Sequence, residues 1–324
     1  MNDTTQSNTS RGWDTYWQGA GGADAYVGGG VTHPVITEVW VYLLGEILAE
    51  RSDARILDIA SGSGAVVDRL QQFPDMDLGR ITCVDISSAA IESLEQRFPG
   101  ITGITADAGS TPLEDASYDL VTSQFGIEYA GPGAIDEAVR LVAPGGSIVL
   151  VMHIRPGRIF NECAQARDAV AQTRDSGFVK KAGAFLEAGF AAVRGGDRRA
   201  YEQAGAALNP AIEKVEGIMR DFGQDVAGGT ISQLYGDVQR IHSKLPNFDP
   251  DEVLAWIGRM DDELSEYQDR MQSMCDAALH EGAFEQIGEK LQQAGFTIGL
   301  AKGLLAEGDS LPLAWVLRAV RSAA

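Results

Sequence analysis

The sequence predicts an α/β fold, in which a doubly wound, Rossmann-like parallel sheet carries a large helical insertion. Three observations predict it. From residue 33 to about 155, short apolar runs bounded by turn residues alternate with stretches of helical periodicity. From about 158 to 283 the strand signal disappears, and after it a helix and two strands return. Because strands that alternate with helices form a parallel sheet, we expect the insertion to interrupt a single sheet domain.

Each element of the sheet domain follows from the period of its apolar residues. The first helix, over 34–50, has apolar residues at helical spacing, among them Val39, Trp40 and Leu43. The sequence Ala143-Pro144-Gly145-Gly146 predicts a turn that ends one helix and starts the next strand. Strands are predicted over residues 56–60, 81–86, 104–106, 120–123, 147–153, 296–303 and 315–321. The remaining helices are predicted over residues 65–73, 88–98, 134–142 and 284–294.

The insertion is rich in Ala, Glu, Asp and Arg, and helical periodicity recurs over 211–222, 231–245 and 251–279. Breakers divide it into several helices, and these lie at Gly195-Gly196, Pro210, Gly228-Gly229 and Pro246. The chain is therefore predicted to have three parts. Residues 1–32 form a polar, aromatic-containing N-terminal flap, residues 33–157 with 284–324 form the sheet domain, and residues 158–283 form a helical cap.

Composition excludes several classes of partner. The formal net charge of −20 over 324 residues repels phosphate backbones, and no basic stripe appears, so nucleic acid is not expected as a partner. No window approaches the roughly 18 uninterrupted apolar residues of a membrane span, so membrane insertion is not expected either. The N-terminus lacks the order of a secretion signal, and the three cysteines show no C-x-x-C spacing. We expect a soluble, cytoplasmic protein, and no metal site is predicted.

The segment Ile56-Leu57-Asp58-Ile59-Ala60-Ser61-Gly62-Ser63-Gly64 predicts a nucleotide-cofactor site. An apolar strand leads through a loop of small residues into a helix, and Gly62 and Gly64 let the backbone approach a ligand without a Cβ in the way. The helix N-terminus adds free N–H groups and a partial positive charge. A dinucleotide fingerprint needs a third glycine where this chain has Val67, which disfavours an NAD(P)-dependent oxidoreductase without removing that alternative.

Two acids follow the next two predicted strands. Asp85 closes the second strand, where a carboxylate can accept from both ribose hydroxyls of an adenosyl ligand. Asp107 ends the third strand and could accept from an adenine amino group. For each of them the alternative is a helix cap or a turn cap.

Five motifs lie in order along the chain: Asp58-Ile59-Ala60-Ser61-Gly62-Ser63-Gly64, Asp85, Asp107, Ser117-Tyr118-Asp119-Leu120-Val121-Thr122-Ser123 and Leu141-Val142-Ala143-Pro144-Gly145-Gly146. In this order they resemble the class I S-adenosylmethionine-dependent methyltransferases, and within them the ubiquinone/menaquinone-type small-molecule methyltransferases. The resemblance covers about residues 33–155 and 284–322. One departure is Ala60, which stands where that family usually has its first glycine, and we expect it to change the loop geometry little.

The resemblance implies a seven-stranded sheet with its last strand antiparallel, and S-adenosylmethionine as the cofactor at the carboxyl ends of the strands. It implies methyl transfer to a small-molecule acceptor. The cofactor-binding residues that it implies, from the methionyl end to the adenine and then beneath the sulfonium, are Asp58, Ala60, Gly62, Gly64, Asp85, Ile86, Asp107, Ala108, Ser123 and Gln124, with Phe125 next to them.

Methyl transfer from a sulfonium is an in-line displacement, so the protein mainly aligns the two reactants and excludes water. A base is needed only when the acceptor carries a proton, and a thioether acceptor needs none. The candidate catalytic residues are Gln124, Glu128 and Tyr129 after the fourth strand and His153 after the fifth. The alternatives are a helix-start acid for Glu128 and a structurally satisfied histidine for His153.

The insertion begins just after the fifth strand, where a helical lid could close the site and select the acceptor. The alternative is a purely structural subdomain or a dimerisation subdomain. In the second case the protein would be a homodimer. Four arginines, Arg155, Arg158, Arg194 and Arg198, could bind a carboxylate of the acceptor, or could pair with neighbouring acids. Besides methyl transfer and the oxidoreductase alternative, a cofactor-binding protein without turnover stays open. The sequence does not tell whether O, N or S is methylated.

Overall fold

The computed structural model describes residues 33–323, and within them seven strands form one sheet in the order β3-β2-β1-β4-β5-β7-β6. The strands are β1 (Ile56–Ile59), β2 (Ile81–Asp85), β3 (Thr102–Thr105), β4 (Tyr118–Gln124), β5 (Val142–His153), β6 (Phe296–Leu304) and β7 (Ala314–Arg321).

Ten α-helices lie in the same part of the chain. They are α1 (Pro34–Glu50), α2 (Ala65–Leu70), α3 (Ser88–Arg97), α4 (Pro132–Leu141), α5 (Arg158–Asp175), α6 (Phe178–Val193), α7 (Arg198–Phe222), α8 (Thr230–Ser243), α9 (Pro250–Ala277) and α10 (Glu281–Gln293). The helix α1 begins at Pro34 after His33, whose side chain accepts from the Val35 amide, and proline suits this first position because its missing N–H would be unpaired there.

The direction of the strands confirms the predicted fold class. Strands β1 to β5 pair in parallel, and β7 is antiparallel to both β5 and β6. The order of the strands reverses between β1 and β4. In open α/β sheets, ligands bind at the carboxyl ends of the strands beside such a reversal. The loops that follow β1, β2, β3 and β4 are therefore the candidate ligand-binding loops.

Strands β1, β2, β6 and β7 lie within one residue of their predicted bounds, and β1 and the second half of β5 have the clearest apolar signal because both of their faces are buried. All four residues of β1 are buried, and so are residues 147–153 of β5. A run buried on both faces reads as continuously apolar. The edge strand β3 is exposed at both ends and contains two threonines and a glycine, so its apolar signal is short and the predicted range of 104–106 is displaced from the strand.

The predicted turn at 143–146 is wrong as a strand boundary. Strand β5 begins at Val142, which pairs with Tyr118, and regular pairing resumes at Ser147 opposite Leu120. The residues between them form an irregularity within the strand, and Gly145 has a positive φ of 73° there. The local turn signal is real, but pairing with β4 on both sides of it keeps the segment in the sheet.

The predicted break at Pro210 is also wrong, because α7 runs through it. Pro210 is exposed, while Leu208, Ala211, Val215 and Ile218 on the same helix are buried. Packing of that buried face outweighs the hydrogen bond that proline removes. Helices α5 and α6 lie in the region predicted as helical, for which the prediction contains no bounds of these two helices.

The chain divides into two compact units. The sheet unit runs to Asn161 and resumes at Asp276, and the helical unit comprises Glu162–Cys275. The helical unit has a small apolar core of its own, which contains Leu186, Phe190, Ile241, Leu245 and Val253. The predicted domain boundaries stay predictions, and the predicted flap at 1–32 lies outside the described residues.

The sheet unit holds the two ends of the helical unit's connections side by side. Ile154 and Leu279 form a parallel bridge, in which the Arg155 amide donates to Leu279 O and the Leu279 amide to His153 O, each at 2.9 Å. The start and the end of the insertion are therefore fixed to one point beyond β5. None of the helices within residues 33–323 combines the length and the apolar content needed to cross a membrane.

Candidate active site

The loop after β1 turns through three left-handed residues. Ala60, Gly62 and Gly64 have φ values of 53°, 48° and 82°. Gly64 precedes α2 directly, and a Cβ on it would lie 2.8 Å from side-chain atoms of both Leu94 and Phe98 on α3 or next to it. Glycine at this position therefore serves both the turn and the close packing of two helices.

Hydrogen bonds tie this loop to the end of β2. The Ser61 hydroxyl donates to Asp58 O at 2.7 Å, and the Ser61 amide donates to Val84 O at 3.1 Å. The Gly62 amide donates to Asp85 Oδ2 at 2.9 Å. The loop is thus held by groups on both neighbouring strands before any ligand arrives.

Asp85 joins two loops through its side chain. Its Oδ2 accepts from Gly62, and its Oδ1 accepts from the Ser87 amide at 2.9 Å in the loop before α3. The alternative role of Asp85 as a turn residue is therefore observed, while the N-cap of α3 is Ser87. Each oxygen of an ionised carboxylate can accept more than one hydrogen bond, so this role and the predicted ribose role do not exclude each other. Ile86, which follows, is half-buried.

Asp107 follows β3 and lies near the end of β2, where Asp85 is. The Ala106 amide donates to Asp85 O at 2.9 Å, which places the ends of β2 and β3 together. Asp107 Oδ1 accepts from the Gly109 amide at 2.8 Å, and Ala108 between them is buried. Asp107 thus makes the turn contact of the alternative through its Oδ1. The adenine roles of Asp107 and Ala108 stay predictions.

Asp58 is a deeply buried acid of the site, with 1% of its surface exposed. The Thr122 hydroxyl donates to its Oδ1 at 2.9 Å across the β1–β4 pair. Burial, with a smaller contribution from the negative charge of Asp85, raises the pKa of this carboxyl to about 7, although the hydrogen bonds with Thr122 and Ser61 lower it. A cation that came close to Asp58 would favour its ionised form. This property fits the predicted contact with the methionyl part of the cofactor, whose amino group is cationic.

The loop after β4 packs directly against Ala60. The Ser123 hydroxyl donates to Ile59 O at 2.7 Å and accepts from the Ile127 amide at 3.0 Å. A Cβ on Gly126 would lie 2.6 Å from the Ala60 Cβ and 2.7 Å from the Ala60 carbonyl oxygen. Ala60 keeps a left-handed backbone although it has a Cβ, and the loop around it leaves room for that methyl group by having glycine at 126.

His153 and Glu128, two of the four predicted catalytic residues, form a buried pair. Glu128 Oε1 lies 2.7 Å from His153 Nδ1 and also accepts from the His153 amide at 2.8 Å. The side chain of His153 is 4% exposed and that of Glu128 is 0% exposed. Among the described residues, Glu128 Oε2 has no hydrogen-bond partner. Glu128 does start a short 3-10 helix, as the alternative held, but its side chain is directed to His153.

Two aromatic rings from the same loop enclose the imidazole. The Phe125 ring centroid lies 4.4 Å from that of His153, and the Tyr129 ring meets it edge-on at 5.8 Å. Gln124, the last residue of β4, is half-buried. The structure therefore brings Glu128, Tyr129 and His153 together, while their roles in catalysis stay predictions.

Two of the four candidate arginines, Arg155 and Arg158, lie in the sheet unit and have contacts within that unit. Arg158 Nη1 donates to Asp309 Oδ2 at 3.0 Å. The Arg155 guanidinium lies 5.3 Å from the centre of the Phe160 ring. For Arg158, the pairing with a neighbouring acid that the sequence left open as an alternative is therefore observed.

The other two arginines, Arg194 and Arg198, belong to the helical unit. Arg198 begins α7 and pairs with Glu202 one turn later, at 3.3 Å, with both side chains largely exposed. Arg194 follows the last residue of α6. An exposed pair of this kind contributes little to stability, and it gives Arg198 no special preference for a ligand carboxylate.

Sequence reasoning missed two polar residues and one glycine of the site. Thr122 and Ser61 hold Asp58 and the loop, and Gly126 accommodates Ala60. In β4, Thr122 follows two apolar residues and precedes Ser123. This polar interruption of a buried strand is the signal that could have identified Thr122 as a site residue. Nothing local marks Gly126, because its contact lies 66 residues away along the chain.

Comparison with known proteins gives a family for the central part of the chain. Residues 57–150 match the model of a family described as "Methyltransferase domain". A demethylmenaquinone methyltransferase of Beutenbergia cavernae is 28% identical over 120 residues, which are 36% of this chain and 48% of that protein. A ubiquinone/menaquinone biosynthesis C-methyltransferase of Dinoroseobacter shibae is 30% identical over 122 residues, 35% of this chain and 48% of that protein.

One solved structure that is similar to this chain is the S-adenosylmethionine-bound amino pentose methyltransferase of Micromonospora echinaspora. It has 25% sequence identity and a TM-score of 0.31, with 37% of this chain and 52% of that chain covered. The chain spans about half the length of the curated relatives that it matches. The family match confirms the resemblance predicted from the sequence, and with it the cofactor class.

The raised pKa of Asp58 predicts a pH dependence of stability. Between the unfolded pKa of about 3.9 and the folded pKa of about 7, the native state holds a proton that the unfolded chain has lost. The free energy of unfolding should therefore fall as the pH rises from 5 to 7, by up to about 1.4 kcal/mol per pH unit. Asp58→Asn should remove this slope.

The measurement is the urea midpoint at which Cys83 becomes reactive to a thiol reagent, quantified on its peptide by mass spectrometry at pH 5, 6, 7 and 8. Cys83 lies in β2 and is fully buried, so its labelling reports opening of the sheet unit alone. Equal slopes for the natural chain and Asp58→Asn would contradict the prediction.

The contact between the two loops predicts a large effect of Gly126→Ala. Gly126 does not have a positive φ, so the cost comes from the overlap of the new Cβ with Ala60. We expect the free energy of unfolding to fall by about 1–3 kcal/mol, measured by the same Cys83 labelling. Adding Ala60→Gly should restore only part, because the carbonyl oxygen of residue 60 remains in place.

The matched control is Gly133→Ala in α4. A Cβ there meets no atom within 4 Å, and alanine is favoured over glycine in a helix by about 0.8–1 kcal/mol. This variant should be as stable as the natural chain or more stable. If Gly126→Ala behaved like Gly133→Ala, the tight contact would not exist.

Proposed function

Residues 57–150 belong to the class I S-adenosylmethionine-dependent methyltransferases, and from this premise we propose that the whole chain transfers a methyl group from S-adenosylmethionine to a small-molecule acceptor. The observation that carries the proposal is the bridge made by Asp85. Its carboxylate holds the loop after β1 through Gly62 and the loop after β2 through Ser87. This brings the backbone turn, the acid and the carboxyl ends of the strands to one place, as an adenosyl ligand requires.

The roles of the residues follow from their places. Asp85 with Ile86 would hold the ribose, and Asp107 with Ala108 the adenine. Asp58, Ala60 and Gly62 would surround the methionyl part, with Gly64 starting the helix. Ser123 and Gln124 would pass beneath the ribose and the sulfonium. When bound, S-adenosylmethionine supplies an electrophilic methyl group, so the chain's task is alignment and exclusion of water.

A small molecule suits the acceptor side for two reasons. The net charge of −20 opposes nucleic acid. The relatives named above are, by their names, methyltransferases of demethylmenaquinone or of ubiquinone and menaquinone biosynthesis, which favours a small organic acceptor. A cytoplasmic location and a homodimer remain hypotheses, and the three cysteines, all buried and none in a disulfide, fit a reducing compartment.

The first test is the ribose role of Asp85. Asp85→Ala should weaken binding of S-adenosylmethionine by 10-fold to 1000-fold, because hydrogen bonds to a charged acceptor contribute about 1.5–3 kcal/mol each. Binding is measured by titration calorimetry. Removing the ribose 2′-hydroxyl from the ligand should weaken binding to the natural chain and change little for Asp85→Ala.

Ser87→Ala is the control for damage to the loop alone. Ser87 caps α3 by accepting from the Ala90 amide, so its loss disturbs the same loop while the carboxylate stays. Near-unchanged affinity in Asp85→Ala would remove Asp85 from the ribose role. A rise in melting temperature with NAD⁺ or NADP⁺, and none with S-adenosylmethionine, would instead support the oxidoreductase alternative.

We propose that the helical unit selects the acceptor. The support comes from chain order, because its connections start and end at the Ile154–Leu279 bridge, directly after His153. In open α/β sheets, ligands bind at the carboxyl ends of the strands. The four arginines and the lid role proposed from the sequence depend on this hypothesis.

Excision tests it. Replacing Glu162–Cys275 by a short Gly-Ser linker should leave S-adenosylmethionine binding within about 10-fold, since the predicted cofactor residues all lie in the sheet unit. Methyl transfer, measured as release of S-adenosylhomocysteine, should be lost. Retained turnover at the natural rate would overturn the role of the helical unit in acceptor selection.

A further inference from the structure

We propose that His153, held by Glu128, is the general base of the methyl transfer, and that the acceptor is therefore protic at its reacting atom. This rests on the proposed function. The class of acceptor is a hydroxyl, a phenol, a primary or secondary amine, or a carbon acid, whose reacting atom loses its proton during the reaction. Thioethers and tertiary amines, which need no base, are excluded as the natural acceptor.

The first argument is the place of the pair. His153 is the last residue of β5, and Glu128 lies in the loop that follows β4. The end of β4 and this loop contact the end of β1 and the cofactor loop, since Ser123 donates to Ile59 O and Gly126 lies against Ala60. One segment of seven residues, 123–129, therefore joins the loop after β1 to the imidazole. A base at this place stands next to the candidate cofactor site without being part of it.

The second argument is the tautomer. A carboxylate can only accept hydrogen bonds, so at Nδ1 the short contact with Glu128 Oε1 places the proton on the imidazole nitrogen. The same Oε1 accepts from the His153 amide, which fixes the orientation of the ring relative to its own strand. In the neutral ring, Nε2 then has a free lone pair. That is the nitrogen that can accept a proton.

The third argument is the cost of the pair. Both side chains are almost completely buried against Phe125 and Tyr129, and an ionised carboxylate loses much hydration free energy there. Two oxygens would offset that loss better than one, yet Oε2 has no partner among the described residues. Most buried polar atoms of native proteins have a hydrogen-bond partner. An unsatisfied acceptor beside a fixed imidazole instead leaves a place for a donor of the acceptor molecule.

The chemical step balances. His153 Nε2 takes the proton from the acceptor's reacting atom, and that atom's electron pair forms the new bond to the methyl carbon. The bond from that carbon to sulfur breaks with its electron pair on sulfur, so the positive charge passes from the sulfonium to the imidazolium. Glu128 lies at hydrogen-bond distance from the imidazolium and stabilises its charge. The proton is later released to solvent.

The experiment combines a panel of acceptors with three variants of the full chain. The panel pairs protic acceptors (phenols, catechols, quinols, primary amines) with thioethers and tertiary amines, and release of S-adenosylhomocysteine is measured for each. The variants are His153→Gln, Glu128→Gln and, as the control, His280→Asn, in which an exposed cap of α10 that accepts from the Ala283 amide keeps a side-chain acceptor.

We expect turnover on protic acceptors alone. His153→Gln should lower kcat by about 10²-fold to 10⁴-fold, with the Kd of S-adenosylmethionine changed less than threefold, and added imidazole should restore part of the rate. His280→Asn should match the natural chain. A kcat unchanged in His153→Gln, or a thioether or tertiary amine as the best acceptor, would overturn the proposal.

A second readout needs no turnover. Nitrogen-15 NMR of the four histidines should show His153 as the Nδ1–H tautomer in the natural chain, with the Nε2–H form gaining population in Glu128→Gln. An Nε2–H tautomer in the natural chain overturns the role of the base even if no acceptor in the panel reacts or a variant does not fold. Failure of the proposed function itself would look different, because S-adenosylmethionine would not bind at all.

Discussion

The carboxylate of Asp85 accepts one hydrogen bond from each of two loops, and the ligand side of the sheet depends on this bridge. Its bond to the Gly62 amide fixes the left-handed turn after β1, and its bond to the Ser87 amide fixes the start of α3. Without the charge, two backbone donors would lose their acceptor in a region that is largely buried, at a cost of about 1–3 kcal/mol each. The acid that is proposed to bind the ribose is therefore also the acid that shapes the loops around it.

A second constraint connects this turn to the acceptor side. The methyl group of Ala60 is tolerated because Gly126 leaves space for it, and Ser123 holds the backbone of the same loop. Two residues beyond Gly126, the side chain of Glu128 reaches His153. Any shift of the loop after β1 therefore displaces the segment that positions the imidazole. In this way the geometry of the cofactor loop and that of the proposed base are set together.

The sequence predicted those features that depend on local pattern, and it failed where distant contacts decide. Strand β1 is buried on both faces, so its apolar run marks it clearly. The break at Pro210 and the turn at 143–146 failed because the buried face of α7 and the pairing of β5 with β4 outweigh local preference. The candidate residues could be proposed from strand ends, but not the contact of Asp58 with Thr122 or that of Glu128 with His153, since these join residues 64 and 25 positions apart.

Asp58 and Glu128, two of the buried acids of the site, differ in how their charge is compensated, and this difference assigns them to different reactants. Burial, with a smaller contribution from the negative charge of Asp85, raises the pKa of Asp58 to about 7, which suits an acid that awaits a cation. Glu128 already has a partner that becomes a cation when it takes up a proton, the imidazole of His153. A permanent cation such as an ammonium group would stabilise the ionised form of Asp58 without any proton transfer. Glu128 gains the same stabilisation only when the acceptor gives up its proton, so its interaction strengthens as the reaction proceeds, which is the property that lowers a barrier.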